Sequence, residues 1–147
     1  MKQQRAIGFE IKCLSNMIRR KLDTTFSSPE FDGLTGAQNA MMGYIMDHEE
    51  TQDIFQKDIE EEFNIRRSSA TVMLQGLEQR GYIRRTQIEK DARLKKIELT
   101  EKARKLQKRV RAEIDQFHEQ LEKDLSQEEK EEFFRLLDKI KSNLKEV

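Results

Sequence analysis

The sequence predicts a mainly α-helical fold carrying one small β-hairpin, and three observations support it. Apolar residues recur every three or four positions along most of the 147 residues, the spacing that lines one face of a helix. The stretch YIRRTQIEKDARLKKIELT behaves differently: two strand-like runs, YIRRTQ and KKIELT, flank a polar loop, with Ile83 facing Ile97 and Leu99 in a period of two. Pro29, Gly33 and Gly81 stand where periodic runs stop.

The composition fits this class. Charged residues make up 38% and hydrophobic residues 35% of the chain, a mixture that suits helices with one apolar face and argues against disorder. The length allows one compact domain, or a small domain with extra helices serving an oligomer interface. The longest apolar run, AMMGYIM, is far short of the ~20 residues that cross a bilayer. The N-terminus MKQQRAIGFEIK has no signal-peptide core, and a single Cys cannot staple the fold. A cytoplasmic protein without a membrane partner is the expectation. Net charge is zero, yet its distribution is uneven. Residues 1–65 sum to −5, residues 66–111 to +10 and residues 112–147 to −5. A strongly basic block between two acidic ones is the footprint of a polyanion-binding surface.

Taken in order, Ile7, Ile11, Leu14, Ile18, Leu22 and Phe26 mark a first amphipathic helix that SSPEFDG ends. A second opens at LTGAQ, where Thr35 and Gln38 form a capping box. A third is expected from Asp53, with Gln56 three residues on, and turns Ile59 and Phe63 inward. After the turn NIRR, the segment SSATVMLQGLEQRG places Ala70, Met73, Leu74 and Leu77 on one narrow apolar stripe, and Gly81 takes the left-handed position after the helix. Its other face carries Ser68, Ser69, Thr71 and Gln75, with Arg66 and Arg67 at the entrance. Beyond the hairpin, a long helix places Leu106, Val110, Ile114, Phe117, Leu121 and Leu125 on one stripe. Ser126 and Glu129 then cap a last helix bearing Phe133, Leu137, Ile140, Leu144 and Val147.

Helix, helix, tight turn, helix, hairpin is the order of a helix-turn-helix followed by a β wing. The second helix of such a pair fits the major groove of DNA, where Ser, Thr and Gln bond base edges and Arg holds guanine. A basic hairpin beside it reaches the backbone or minor groove, where Arg is favoured.

Over nearly its whole length the sequence resembles the MarR family of transcriptional regulators. The matching pieces are LTGAQ, QKDIEEEFNIRRSSATVMLQGLEQRGYI and DARLKKIELTEKA; the Asp-x-Arg followed by an apolar strand and LTEK is the most specific of them. The resemblance implies a homodimer on a pseudo-palindromic double-stranded DNA operator, with repression as the expected role and release by a small ligand or by oxidation. It implies a winged helix-turn-helix DNA-binding domain over 31–111 and a helical dimerisation region from 1–30 and 112–147, holding Ile7, Ile11, Leu14, Phe133, Leu137, Ile140 and Leu144. The recognition helix would present Arg66, Arg67, Ser68, Ser69, Thr71 and Gln75. The wing would present Lys90, Asp91, Arg93, Lys95 and Lys96, with Arg93 as the minor-groove probe and Asp91 orienting the cations. Two departures stand out. Arg66 is a poor cap, so the helix start is expected to shift or to depend on Asn64. Val72 replaces a commonly polar or basic contact residue, which leaves base preference there open.

Cys13 reads first as a cysteine beside an apolar stripe; its alternative is a redox sensor, which needs a depressed thiol pKa. His48 with Glu49 and Glu50, and His118 with Glu122, are the nearest approach to a metal site and read as solvated surface. No catalytic set or cofactor-cradling loop can be assembled, so neither an enzyme nor a cofactor is expected. Met17, Met41, Met42, Tyr44 and Met46 suit a small-molecule effector pocket or, more ordinarily, the core. A winged helix turned protein–protein interaction module is the alternative from another class, and the basic block disfavours it.

Overall fold

The computed structural model describes residues 5–88 and 91–145, with the backbone alone for Asp91 and Ala92. The elements are α1 (Ile7–Thr25), α2 (Gly36–His48), α3 (Gln56–Phe63), α4 (Arg67–Gln79), β1 (Ile83–Ile88), β2 (Asp91–Leu99), α5 (Glu101–Leu121) and α6 (Gln127–Leu144), with a 3-10 turn at Pro29–Phe31. The mainly helical class with one hairpin stands as the sequence predicts. The chain forms two compact units, Met1–Arg111 and Ala112–Val147.

In the first unit the core is built around α4, whose buried stripe is Ala70, Leu74 and Leu77. Met41, Met42 and Ile45 of α2, Ile59 of α3, Ile83, Ile97 and Leu99 of the hairpin, and Ala103, Leu106 and Val110 of α5 complete it. The α2 capping box forms in full: Gln38 N–H donates to Thr35 Oγ1 at 3.1 Å, and Thr35 N–H donates to Gln38 Oε1 at 2.9 Å. Helix α4 ends on Gly81 at φ +79°. There Tyr82 N–H reaches back to the Leu77 carbonyl at 2.9 Å and Gly81 N–H to the Glu78 carbonyl at 3.0 Å. This pair of bonds is the Schellman arrangement, which needs a residue at ease with positive φ.

Three boundaries differ from the sequence expectation. Helix α3 starts at Gln56 rather than Asp53, and Asp58, not Gln56, supports its start by accepting from Phe55 N–H at 2.8 Å. The cause is tertiary. Ile54 is buried just before the helix, and its carbonyl accepts from Ile97 N–H at 2.7 Å on the outer edge of β2. Strand β2 begins at Asp91, so it takes in part of the expected loop. Helix α5 stops at Leu121, short of Leu125, because Asp124 adopts φ +67° just before the Ser126 cap.

A polar joint holds the turn after α1. Asp32 sits at φ +58°. The Tyr82 hydroxyl donates to its carboxylate, and the Arg80 guanidinium donates to its carbonyl and pairs with its carboxylate at 3.3 Å. Arg80 and Lys102 both lie over the Tyr82 ring, 5.5 and 4.4 Å from its centroid. A second joint is buried: Gln107 of α5 donates to Asn39 Oδ1 of α2 at 3.2 Å.

In the second unit Ser126 caps α6 reciprocally, Glu129 N–H to Ser126 Oγ at 3.0 Å and Ser126 N–H to Glu129 Oε1 at 2.9 Å. No residue of α6 is buried among those described.

Two outcomes follow from this packing. Leu74→Ala, at a fully buried position, should destabilise the protein by about 2–5 kcal/mol in denaturant titration. Burial, then the hydrogen bond to Asp32, pushes the Tyr82 phenol from 10.0 up to about 12. The folded chain therefore keeps this proton where the unfolded chain sheds it. That contribution to stability is complete below pH 10 and is lost as pH rises towards about 12. Thermal melts of Tyr82→Phe across that window should show a shallower alkaline decline than the unsubstituted protein; an equal decline would assign it to other groups.

Candidate nucleic-acid interface

The interface begins at the first turn of α4. Arg66 is the N-cap residue, in extended backbone with ψ 153°, and its side chain makes no capping bond. The helix start has not shifted to find a better cap, and Asn64 is occupied in ending α3 at φ +49°. The opening N–H groups of α4 thus have neither an intrahelical acceptor nor a side-chain cap, which favours an anion there. Arg66, Arg67, Ser68, Ser69 and Gln75 are exposed together on the outer face.

Thr71 is placed differently. Its hydroxyl donates to the Arg67 carbonyl at 2.8 Å and accepts from Gln56 Nε2 at 2.8 Å, and the same amide lies 3.3 Å from the Arg67 carbonyl. Both hydroxyl roles are therefore turned inward, and Gln56 ties α3 to the first turn of α4. Gln56 enters the sequence expectation only as a helix-start signal; its bridging role depends on a contact fifteen residues away, which spacing does not disclose.

The wing is an antiparallel ladder from Ile83↔Leu99 to Gln87↔Lys95, after which the register jumps to Ile88↔Asp91. Its base is fixed on both sides. Arg85 of β1 pairs with Glu78 of α4 at 3.2 Å. On β2, Leu99 N–H donates to Glu49 Oε2 at 3.2 Å, and Arg104 grips that carboxylate at 3.1 and 2.7 Å. Arg93 and Lys95 are exposed. The Lys96 ammonium lies 3.1 Å from Glu98 and 3.2 Å from Asp53, which raise its pKa in that order. These pairs engage it at the wing's own base. Lys90 lies outside the described residues, as does the side chain of Asp91.

Between α3, the start of α4 and the wing runs a groove of about 360 Å³. Lys57, Arg67, Arg85, Arg93 and Lys95 line it, with Glu60 as the single carboxylate among the described residues that line it. The structure thus brings Arg67 together with the wing cations Arg93 and Lys95. Lys57 and Arg85 join them; the RR pair in YIRRTQ was the available sign of the latter. Such a surface attracts a polyanion and offers short donors beside it.

The remaining candidates are dispersed. Ile7, at 66% exposure, Ile11 and Leu14 are uncovered on α1; so are Phe133, at 50%, and Leu144, at 78%, on α6, while Leu137 and Ile140 are half-covered. Cys13 is a partly buried free thiol on α1. His48 Nδ1 lies 2.8 Å from the Tyr44 carbonyl, and its ring packs against Tyr44 at 4.4 Å. Among the described residues no group of three His, Cys, Asp or Glu is placed to hold a metal. Met41 and Met42 are core residues, Tyr44 and Met46 are half-buried, and Met17 is exposed.

The uncapped start yields a test. Arg66→Ser supplies the missing acceptor and should raise stability by about 0.5–1 kcal/mol in denaturant titration. The same change removes a cation from the basic face and should weaken duplex binding in parallel fluorescence titrations.

Comparison with known proteins agrees with this geometry. The sequence model of the MarR family matches residues 32–94. No curated protein sequence matches the chain. Among solved structures, the transcription regulator MarR from Oenococcus oeni is 30% identical with a TM-score of 0.79, over 93% of this chain and 99% of that one. MepR of Staphylococcus aureus in complex with DNA is 26% identical with a TM-score of 0.86, over 97% of this chain and all of that one. The same regulator in its DNA-binding conformation gives 0.84, over 96% of this chain and all of that one. With a 30% identical relative matched along nearly its full length, and the hairpin attached beside the α3–α4 pair, the chain belongs to the MarR family of winged-helix transcription regulators.

Proposed function

We propose that the protein is a cytoplasmic homodimeric repressor, without enzymatic activity, that binds a pseudo-palindromic operator in double-stranded DNA. The single observation behind this reading is the basic groove that joins Arg67 at the start of α4 to Arg93 and Lys95 of the wing. In this arrangement α4 enters the major groove with Ser68, Ser69 and Gln75 towards the base edges. Arg66 and the open helix start meet phosphate, and Arg93 reaches into the neighbouring minor groove.

Dimerisation is supported by the uncovered apolar stripes of the terminal helices. Ile7, Ile11 and Leu14 on α1, and Phe133, Leu137, Ile140 and Leu144 on α6, serve as the dimer contacts, and a second copy of the chain buries them. Residues 1–30 and 112–147 form this region, and 31–111 form the DNA-binding domain. Release by a small ligand belongs to the same reading.

Duplex fragments selected from genomic DNA and titrated at two salt concentrations test it. With about six to ten phosphate contacts, affinity should fall ~10³–10⁵-fold between about 50 and 200 mM salt. Absent or salt-insensitive binding to every duplex would rule out the operator-binding function. Arg93→Ala should weaken binding by about 1–3 kcal/mol while sedimentation still shows a dimer; a monomer would place this residue in the dimer contact instead.

A further inference from the structure

The outer face of α4 holds one residue that neither the fold nor the electrostatics explains. Val72 is 69% exposed in the middle of the helix. Ala70 and Leu74, the core residues two positions to either side, lie about 160° round the helix axis from it, so Val72 points almost directly away from the core. Ser68, Gln75 and Gln79 share its stripe and are exposed and polar. A β-branched residue on an exposed helix face adds no packing and restricts its own rotamers. A single exposed apolar residue is ordinary on a protein surface; this one occupies the centre of the face read above as groove-facing. Its neighbour Thr71 has its hydroxyl committed to Arg67 and Gln56.

The major-groove floor offers one apolar group to a side chain, the C5-methyl of thymine. We propose that Val72 is a specificity-determining residue that reads a thymine methyl in each operator half-site. The polar side chains around it, Ser68, Ser69 and Gln75, are then left to bond the adjoining base edges. This rests on the operator-binding reading and adds a base identity to it. Val72 makes no bond that holds the fold, so shortening it leaves α4 and its buried stripe in place.

The test uses duplexes selected by the purified protein from a random-sequence pool. Each thymine of the half-site is replaced in turn by uracil, which removes only the methyl. One replacement in each of the two half-sites removes two methyls and should weaken the unsubstituted protein about fifteenfold, each replacement carrying the roughly fourfold value of one buried methyl-sized group. Val72→Ala should bind the thymine and uracil duplexes almost equally. A half-site without thymine, indifference to the methyl at every position, or a preference kept in full by Val72→Ala overturns the proposal. Failure to select any duplex overturns the operator-binding reading instead.

Discussion

Everything about the interface depends on how the outer edge of β2 is closed. A two-stranded hairpin leaves one row of backbone groups unpaired on each side, and an isolated hairpin is at best marginally stable. Here Ile97 N–H finds the Ile54 carbonyl at 2.7 Å, and Leu99 N–H finds the Glu49 carboxylate. Arg104 holds that carboxylate from the start of α5. The stretch from Glu49 to Ile54, far earlier in the sequence, is thereby fastened to β2 and to the start of α5. The wing becomes part of the same body as α3 and α4, and its cations can share a groove with Arg67.

The charge pattern is finer than the segment sums suggest. A block of +10 over residues 66–111 does not deliver all its cations to one face. Arg85 lies against Glu78, Lys96 between Asp53 and Glu98, Arg104 on Glu49, and Arg111 on Asp47. Arg85 joins a strand to a helix and Arg111 joins helix to helix, while Lys96 ties β2 to the loop before α3 and Arg104 ties α5 to the residue that closes α2. Most of these pairs are partly covered, and their geometric effect is to set which cations face outward. Of this block, Arg67, Arg85, Arg93 and Lys95 line the groove; Arg85 does so while paired with Glu78, and Arg93 has an interaction of its own within the protein.

The helices and the hairpin were legible because each rests on local patterning. The α4 stripe, the capping boxes at Thr35 and Ser126 and the left-handed Gly81 are signals spread over a few residues, and the structure repeats them. The failures share a cause as well. Asp53 and Gln56 look like a helix start until Ile54 is needed by Ile97, forty-three positions later. Thr71 reads as an unattached hydroxyl on the outer face, and its bond from Gln56 is likewise invisible to spacing. Lys96 reads as one more cation of a basic loop, and its pairing with Asp53 is invisible to local spacing. In each instance a long-range partner changes the role of a residue whose local reading was reasonable. The family resemblance carries overall architecture across that gap, but not individual hydrogen bonds.

The break in the wing ladder has a consequence for how such proteins diversify. Pairing is regular up to Gln87 and Lys95 and resumes only at Ile88 and Asp91, so residues 92–94 have no ladder partner in β1. The part of the hairpin that is fastened to the helices and the part that carries Arg93 are therefore specified by different residues. A lengthened or shortened tip leaves the pairs from Ile83–Leu99 to Gln87–Lys95, and the closure at Ile54, unchanged. The reach of the wing can drift over generations as a separately heritable dimension, while the body that aims it stays under the full constraint of the core.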